Sequence, residues 1–279
     1  MIKRTILYSA LFIFCCSLKA DLLSSLKDRG WTSYHAGFKG AGFDIGVDTK
    51  GHIKLFISPR KNQRINPSWP IETEIHIERR EKDSNKWVQK KTSLTGFTVK
   101  NEDKVELGQK EIEFTATVTG GAQFAVKMAF DRDGVNIESE MANTPEDSET
   151  ADYRLVLEGS MPTLLTTSAK YEDKELKSKT SGDYIRITFK KEREQKIRLS
   201  DTKNISEINQ IHPTSISLRA DKIGRKKLTW KILNYKDKGA LELDFKSKQN
   251  RFIGGYNIRA ILINEKGERM INGIRLEYK

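Results

Sequence analysis

Apolar and polar residues alternate strictly along several segments of this chain. In the segment 71–77, the side chains of every second residue from Ile71 to Ile77 would share one face, and the polar residues between them, His76 included, would share the other. A period of two is that of a β-strand, in which successive side chains point to opposite sides of the sheet. The segment is therefore predicted to be a half-buried strand on which His76 faces solvent.

The same alternation, or a short apolar run, recurs along most of the chain. Polar turns that end in glycine separate several runs, as in Asp131–Gly134 and Asn264–Gly267, where glycine is expected to supply the positive φ of a tight hairpin. Helical periods are limited to short segments at 21–30 and near 206–212, which argues against βαβ units. The chain is predicted to be all-β: an antiparallel β-sandwich, and a large one, with at most one or two short helices. The predicted strand segments are 53–57, 71–77, 112–118, 124–130, 135–141, 153–157, 185–189, 228–235, 241–245 and 256–263.

The first twenty residues have the composition of a targeting segment. Lys3 and Arg4 precede an apolar stretch from Thr5 to Cys16, and the small residue Ala20 follows shortly after. A basic start, an apolar stretch too short to span a membrane and a small residue at the end are the features of a secretory signal peptide. We therefore expect residues 1–20 to be removed and the protein to be exported, to the periplasm or outside the cell.

The remaining residues, 21–279, are numerous enough for one large domain or two small ones. The strongest internal break is 143–152, which is acidic and contains a single apolar residue. We expect a single large β-sandwich domain, with 143–152 as the boundary if the chain is subdivided, and no membrane-spanning segment after signal removal. Both cysteines, Cys15 and Cys16, lie in the expected signal peptide, so disulfides, thiol catalysis and cysteine metal sites are excluded from the exported chain.

Charge is distributed unevenly along the exported chain. Residues 21–150 carry 19 basic and 21 acidic side chains, whereas residues 151–279 carry 28 and 17. The excess positive charge lies in the second half of the chain. Such an asymmetry is typical of a surface that binds polyanions, and it also occurs on basic, solvent-exposed surfaces that bind nothing in particular. No run of exposed aromatic residues accompanies the basic groups, so nucleic acid is not an expected partner. The residues predicted to contact a glycan or an anionic envelope polymer are Lys190, Lys191, Arg193, Arg225, Lys226 and Lys227. Lys196 and Arg198 continue the first basic group, which is interleaved with Glu192 and Glu194.

Trp69 is the most suggestive aromatic residue, because Pro67 and Pro70 hold it in a stiff segment. An indole presented in this way can lie against the apolar face of a sugar ring, and Arg60 and Arg64 could bond its hydroxyl or carboxylate groups. The alternative is that Trp69 caps one end of the hydrophobic core.

Recognisable catalytic and metal-binding motifs are absent from the sequence. The histidines lack zinc-site spacing, and no serine lies in a glycine-x-serine-x-glycine turn. Asp131–Gly134 resembles the start of a calcium loop, but the residues after it alternate as a strand, so a hairpin turn is predicted instead. No catalytic residue, metal site or cofactor is predicted.

Three classes of function remain open on the sequence alone. The leading one is an exported noncatalytic binding or envelope-associated protein that contacts glycans or other anionic polymers. The alternative is a carbohydrate-active lyase or hydrolase on a β-sandwich, using acidic residues, His52 or His76 in a concave sheet. The third is an outer-membrane barrel, because its strands also alternate in polarity.

Overall fold

The strands of this protein follow one another with no helix among the residues that the structure describes. A computed structural model describes residues 34–39, 43–48, 52–57, 71–100, 110–161, 182–189, 193–198, 213–219, 226–233, 239–245, 256–262 and 273–279. The strands within these ranges are β1 (Tyr34–Lys39), β2 (Phe43–Asp48), β3 (Ile53–Ile57), β4 (Ile71–Glu81), β5 (Val88–Lys90), β6 (Thr92–Lys100), β7 (Glu111–Val118), β8 (Gln123–Asp131), β9 (Gly134–Met141), β10 (Ala151–Met161), β11 (Tyr184–Phe189), β12 (Glu194–Arg198), β13 (Pro213–Arg219), β14 (Leu228–Ile232), β15 (Gly239–Phe245), β16 (Tyr256–Leu262) and β17 (Ile274–Tyr278).

The strands form two antiparallel sheets. Sheet I has eight strands in the order β1-β2-β3-β4-β10-β16-β15, with β5 paired to β4. Sheet II has nine strands in the order β12-β11-β13-β14-β17-β9-β8-β7-β6. The pairings are antiparallel throughout. The prediction of a large antiparallel β-sandwich is confirmed.

The hydrophobic core lies between the two sheets. In β7 the residues Ile112, Phe114, Ala116 and Val118 are buried and the residues between them are partly exposed, as the alternating sequence requires. Buried residues from both sheets, Ile75 of β4 among them, belong to one continuous cluster. Removing this apolar surface from water is the main force that holds the sheets face to face.

Each of the ten predicted strand segments overlaps a strand of the structure, although β14 ends at Ile232, short of the predicted segment 228–235. The strands β1, β2, β5, β6, β12, β13 and β17 were not among the predicted segments, and β12 shows one reason: Ile197 is its only apolar residue and its only buried one. A short strand at the edge of a sheet needs few core residues, so its sequence lacks the alternation. The predicted helical segments at 21–30 and near 206–212 lie outside the described residues. Over the described ranges, the structure contains no helix with the length and apolarity needed to span a membrane.

The segment 143–152 leads from one sheet to the other, because β9 belongs to sheet II and β10 to sheet I. Its backbone is folded by turns in which the amides of Thr150 and Ala151 donate to the carbonyl oxygen of Asp147, at 3.0 and 2.9 Å. Each sheet takes strands from before and after this segment. The division of the chain into domains stays a prediction.

The hairpin turn at Asp131–Gly134 is present, but its glycine has a different role from the predicted one. Asp131 Oδ1 accepts hydrogen bonds from the backbone amides of Asp133 and Gly134, at 2.8 and 2.9 Å. Positive φ occurs at Gly96 and Gly120 among the described glycines, and not at Gly134. A Cβ atom at Gly134 would overlap the carbonyl oxygen of Leu276 on β17. Glycine is therefore needed here because a neighbouring backbone passes too close for a side chain.

Candidate functional site

The predicted ligand-binding residues divide into two groups. Trp69, Arg60 and Arg64, together with Lys190, Lys191 and Arg225, lie outside the described residues, so their roles stay predictions. The other three basic residues are described: Arg193 is exposed just before β12, and Lys226 and Lys227 are half-buried just before β14.

Sheet II brings Lys227 into line with three other basic residues and one tyrosine, each from a different neighbouring strand or its end. The register pairs Tyr184 on β11 with Arg198 on one side and with Arg219 on the other. The next position of the β13–β14 register places Lys227 opposite Arg219, and the backbone of Lys227 exchanges hydrogen bonds with that of Lys279, at 2.6 and 3.0 Å. We call these five residues, Arg198, Tyr184, Arg219, Lys227 and Lys279, the basic row.

The basic row lies on the outer side of sheet II. The residues that alternate with its members, such as Ile185, Ile197, Leu218 and Leu228, are buried in the core. Because successive side chains of a strand point to opposite faces, the members of the row point away from the core. Adjacent strands are about 4.8 Å apart, so the row extends roughly 19 Å across five strands.

Further basic groups surround the row. Lys196, one register position away on β12, places its ammonium group 4.1 Å from the centroid of the Tyr184 ring. Its neighbour across the strands, Arg186, forms an ion pair of 3.1 Å with Glu194. Lys226 lies 5.2 Å from the ring centroid of Tyr278. Several basic residues of the second half of the chain therefore lie close together at one end of the strands β12, β11, β13, β14 and β17, whereas others, such as Arg154 and Arg259, lie on sheet I.

Charge within the row is only partly compensated. Lys279 Nζ is 3.4 Å from Asp133 Oδ2. Arg198 is exposed and forms no ion pair within the described part of the chain. A surface of this kind can hold several acidic groups at once, because each cation is accessible from the same side.

Sequence reasoning missed Tyr184, Arg219 and Lys279. All three lie outside the basic clusters of the sequence, and only the strand pairing brings them beside Arg198 and Lys227. The available signal was the alternation in 184–189, which placed Tyr184 on the side of the strand opposite Ile185.

A second concentration of charge lies on the outer face of sheet I, around Glu78. Glu78 Oε2 accepts hydrogen bonds from Arg154 Nε and Nη2, at 2.8 and 2.7 Å. Glu78 Oε1 accepts one from Arg259 Nη2 and lies 3.4 Å from Nε2 of His76. Arg259 Nε in turn is 3.8 Å from Glu158 Oε2. We call Glu78, Arg154, Arg259 and His76 the ion cluster.

The prediction that His76 faces solvent is wrong. His76 is 4% exposed, although it lies on the face of β4 opposite Ile75 and Ile77. Val156 on β10 lies directly opposite His76 on the same outer face. Val156 is fully buried as well, although it does not belong to the core between the sheets. The outer face of sheet I is therefore buried at this point. Nδ1 of His76 has no hydrogen-bond partner among the described residues.

Trp87 covers the arginine side of the ion cluster. The guanidinium carbon of Arg154 lies 4.1 Å from the centroid of the indole, and that of Arg80 lies 4.7 Å away. Such contacts attract the cation to the aromatic face and exclude water from one side of it. Arg80 also donates to Asp152 Oδ2, at 2.6 Å.

The ion cluster keeps Glu78 ionised. Burial on its own would raise the pKa of Glu78, but the hydrogen bonds from His76 and Arg154 and the charge of Arg259 outweigh it and lower the pKa to about 2. A carboxyl group with this pKa holds no proton at neutral pH, and both of its oxygens already accept hydrogen bonds. The arrangement is suited to fixing two arginines in place, and it does not supply a proton donor.

Metal binding finds no support in the described residues. They contain no group of three or more histidine, cysteine, aspartate or glutamate side chains that could hold an ion. Asp131 is ion-paired with Arg275, whose Nη1 donates to Asp131 Oδ2 at 2.7 Å, and this contact lowers the pKa of Asp131. His52 is hydrogen-bonded to Asp48, with Nδ1 3.4 Å from Oδ2, and this bond raises the pKa of His52.

Comparisons with known proteins give only distant structural likeness. No protein-family model matches the chain. No curated protein matches it either.

A galactose mutarotase-like protein from Lactobacillus casei aligns with a TM-score of 0.46 at 8% identity, over 88% of this chain and 99% of that one. A galactose mutarotase related enzyme from Lactobacillus acidophilus aligns with a TM-score of 0.41 at 10% identity, over 88% of this chain and 97% of the other. A family GH31 sulfoquinovosidase from E. rectale aligns with a TM-score of 0.37 at 8% identity, over 84% of this chain and 32% of the enzyme. Values this low carry no argument about what the present chain binds.

Proposed function

We propose that this chain is an exported, noncatalytic binding protein that holds an acidic glycan or another anionic polymer along the basic row. The observation that carries the proposal is the alignment of four cationic side chains and one tyrosine on the same side of five adjacent strands. A polymer that repeats its acidic groups along its length can meet several of these cations together. Each contact releases counterions from the polymer, which is a favourable and salt-dependent contribution to binding.

The rigidity of the row supports binding. Its members are carried by paired strands whose opposite faces are packed in the core, so the spacing between the cations is fixed before a ligand arrives. Lys196 is held over the ring of Tyr184 by a cation–π contact. Less conformational entropy is lost on binding when the groups are already in place.

The charge pattern and the expected export support an acidic glycan as the polymer. Acidic polysaccharides and envelope polymers are the polyanions that an exported protein meets. A noncatalytic role is proposed because the row consists of cations and a tyrosine, whereas Glu78, a buried carboxylate on the opposite sheet, is already bonded on both oxygens.

Charge reversal of two cations of the row, Arg198 and Lys227, together with the adjacent Lys196, tests the proposal. We expect the triple variant Lys196→Glu, Arg198→Glu, Lys227→Glu to bind an immobilised polyuronate at least tenfold more weakly than the unchanged protein at low salt. Removing three cationic contacts should also reduce the slope of log affinity against log salt by roughly 2 to 3. Retention on the polyuronate and on a neutral polysaccharide, measured at a series of salt concentrations, gives both quantities.

The matched control reverses three exposed lysines elsewhere, Lys82, Lys86 and Lys110, and so changes the net charge by the same amount. We expect this variant to lose no more than about twofold in affinity, because surface charges outside the contact act only through the screened overall field. Equal losses in the two variants would show that net charge alone drives retention, and the assignment to the basic row would be wrong. Failure of the unchanged protein to bind any polyanion would exclude the function itself.

A further inference from the structure

A cavity of about 350 Å³ opens at one end of the sandwich, where the two sheets meet. Its walls come from β4 and β10 of sheet I, from the segment between β5 and β6, from the turn between β7 and β8, and from the segment that joins β9 to β10. We call this cavity the end pocket. The residues that line it are Arg79, Lys90, Lys91, Val118, Thr119, Gly120, Asp147 and Tyr153.

The end pocket lies far from the basic row. Val118 ends β7, and Thr119 and Gly120 belong to the turn that precedes β8. The turn after β8 contacts the end of β17, where the amide of Tyr278 donates to the carbonyl of Asp133 at 2.8 Å. The nine residues of β8 separate the two turns. At about 3.3 Å per residue, the two sites are roughly 26 Å apart along the strand.

A rigid polar triad forms one side of the pocket. The hydroxyl of Tyr153 donates to Asp147, with its oxygen 2.8 and 3.0 Å from the two carboxylate oxygens. Arg79 Nε donates to Asp147 Oδ2 at 2.8 Å, and Arg79 Nη1 bonds Glu81. The charge of Arg79 is thus balanced inside the triad. Burial and the bond to Asp147 raise the pKa of Tyr153, so its hydroxyl keeps its proton at neutral pH.

The walls of the pocket are tied to one another by hydrogen bonds. Asn143 Oδ1 accepts from the amide of Gln123 at 2.7 Å, and Asn143 Nδ2 donates to the carbonyl of Gly121 at 3.4 Å. These bonds fix the segment that carries Asp147 to the turn before β8. The pocket is therefore pre-formed, as binding sites for small molecules usually are.

Two glycines follow Thr119 beside the pocket, and the second leaves room next to Tyr153. Gly120 has a φ of +68°, which favours glycine, and a Cβ atom built there would meet nothing within 4 Å. A Cβ atom at Gly121 would lie 3.1 Å from the hydroxyl oxygen of Tyr153 and 2.8 Å from Cγ2 of Val118. A side chain at Gly121 would therefore press against the tyrosine that lines the cavity.

Two positive charges in the pocket are left uncompensated. Lys90 and Lys91 are both exposed, and neither forms an ion pair within the described part of the chain. Lys90 is held in β5, opposite Ile77 of β4. The ammonium groups of Lys90 and Lys91 attract an acidic group of a ligand. The phenol of Tyr153 and the carboxylate of Asp147 lie in the same pocket and can form hydrogen bonds with hydroxyl groups of that ligand.

We propose that the end pocket is a second binding site, which takes a small organic anion of about the size of one sugar ring. Its acidic group lies between Lys90 and Lys91, and its remaining polar groups face Tyr153 and Asp147. A volume of about 350 Å³ is near the lower limit for pockets that bind small molecules, which excludes a polymer chain from its interior. The site is independent of the basic row and does not rest on the polymer-binding proposal.

The test measures binding of glucuronate, glucose 6-phosphate and neutral glucose to the full chain by titration calorimetry. We expect saturable binding of glucuronate or glucose 6-phosphate and none of glucose, and the anion that binds identifies the acidic group as a carboxylate or a phosphate. The double variant Lys90→Glu, Lys91→Glu should bind that anion at least tenfold more weakly. Thr119→Trp, which places an indole at the exposed rim, should weaken binding by a similar factor.

Lys82→Glu with Lys86→Glu is the matched control, because both lysines are exposed on the same hairpin and neither lines the pocket. This control, and the charge-reversed variant of the basic row, should bind the anion as the unchanged protein does. Absence of binding to both anions would overturn the proposal, as would equal binding by the double variant. The two sites are tested with different ligands, a small anion for the end pocket and a polyuronate for the basic row. Absence of anion binding therefore does not contradict polymer binding by the row, and absence of polymer binding does not contradict the end pocket.

Discussion

Replacing Glu78 with glutamine is expected to lower the free energy of unfolding by about 3–5 kcal/mol. The substitution keeps the shape of the side chain but leaves the guanidinium groups of Arg154 and Arg259 without their shared carboxylate. Arg154 is 9% exposed, so water cannot replace the lost partner. Urea denaturation should show a lower midpoint with an unchanged slope, which is the signature of a loss of stability rather than of a change in the surface exposed on unfolding.

The control is Glu74→Gln, on the same strand and the same face but exposed. We expect it to change the free energy of unfolding by less than about 0.5 kcal/mol. A similarly small effect of Glu78→Gln would mean that the ion pairs of Glu78 with Arg154 and Arg259 contribute nothing measurable to the free energy of unfolding.

The ion cluster also predicts how the effect of Glu78→Gln depends on pH. The folded pKa of Glu78, about 2, lies below the ordinary value of 4.5, so ionised Glu78 contributes stability that is present in full above pH 4.5. That contribution, roughly 3 kcal/mol, is lost as the pH falls from 4.5 towards 2. The difference in stability between the unchanged protein and Glu78→Gln should therefore narrow by about 2 kcal/mol between pH 6 and pH 3. A difference that stays constant over this range would contradict the lowered pKa.

Alternation in the sequence predicted which side of each strand faces the core, but not what covers the other side. On β4 it placed Ile75 and Ile77 correctly, and the same pattern led to the error on His76. Polar residues on the second face of a strand are normally solvated. Here Glu78 meets two arginines from β10 and β16, so the charges are satisfied within the protein. Those partners are distant in the sequence, and no local pattern points to them.

Strand register explains why the basic row was only partly predictable. The basic composition near Lys196 and Lys227 is visible in the sequence, and it lies in the half of the chain that carries the row. The row itself depends on which residue of one strand lies opposite which residue of the next, and a shift of one residue would turn every side chain of that strand to the opposite face. Register is set by core packing on the opposite face, where residues such as Ile197 and Leu228 fit between the sheets.

The packing of Trp230 against Gly159 is the contact between the sheets on which we expect stability to depend most. Trp230 on β14 is fully buried, and a Cβ atom at Gly159 on β10 would overlap its six-membered ring. The sequence places Trp230 in the predicted strand 228–235, but it gives no reason for a glycine in β10. The structure supplies the reason: the indole occupies the space that a side chain at position 159 would need.

Trp230→Ala is expected to lower the free energy of unfolding by about 3–5 kcal/mol, because it removes a large buried side chain and leaves a cavity between the sheets. Gly159→Ala is expected to cost about 1–3 kcal/mol for the opposite reason, since its methyl group forces the indole or the strand to move. The two changes should not be additive. In the Trp230→Ala background the methyl group at position 159 enters the new cavity, so its cost should disappear or become a small gain.

Urea denaturation of the four proteins in this cycle gives the coupling energy directly, and contact between the two residues predicts a favourable coupling of about 1–3 kcal/mol. Independent residues would give additive effects, and Gly159→Ala would then cost the same whether or not the indole is present. That result would place Trp230 away from β10 and would mean that the two sheets do not pack in the arrangement described. A favourable coupling would instead establish that sheet I and sheet II are held at the separation that fixes both the end pocket and the face carrying the basic row.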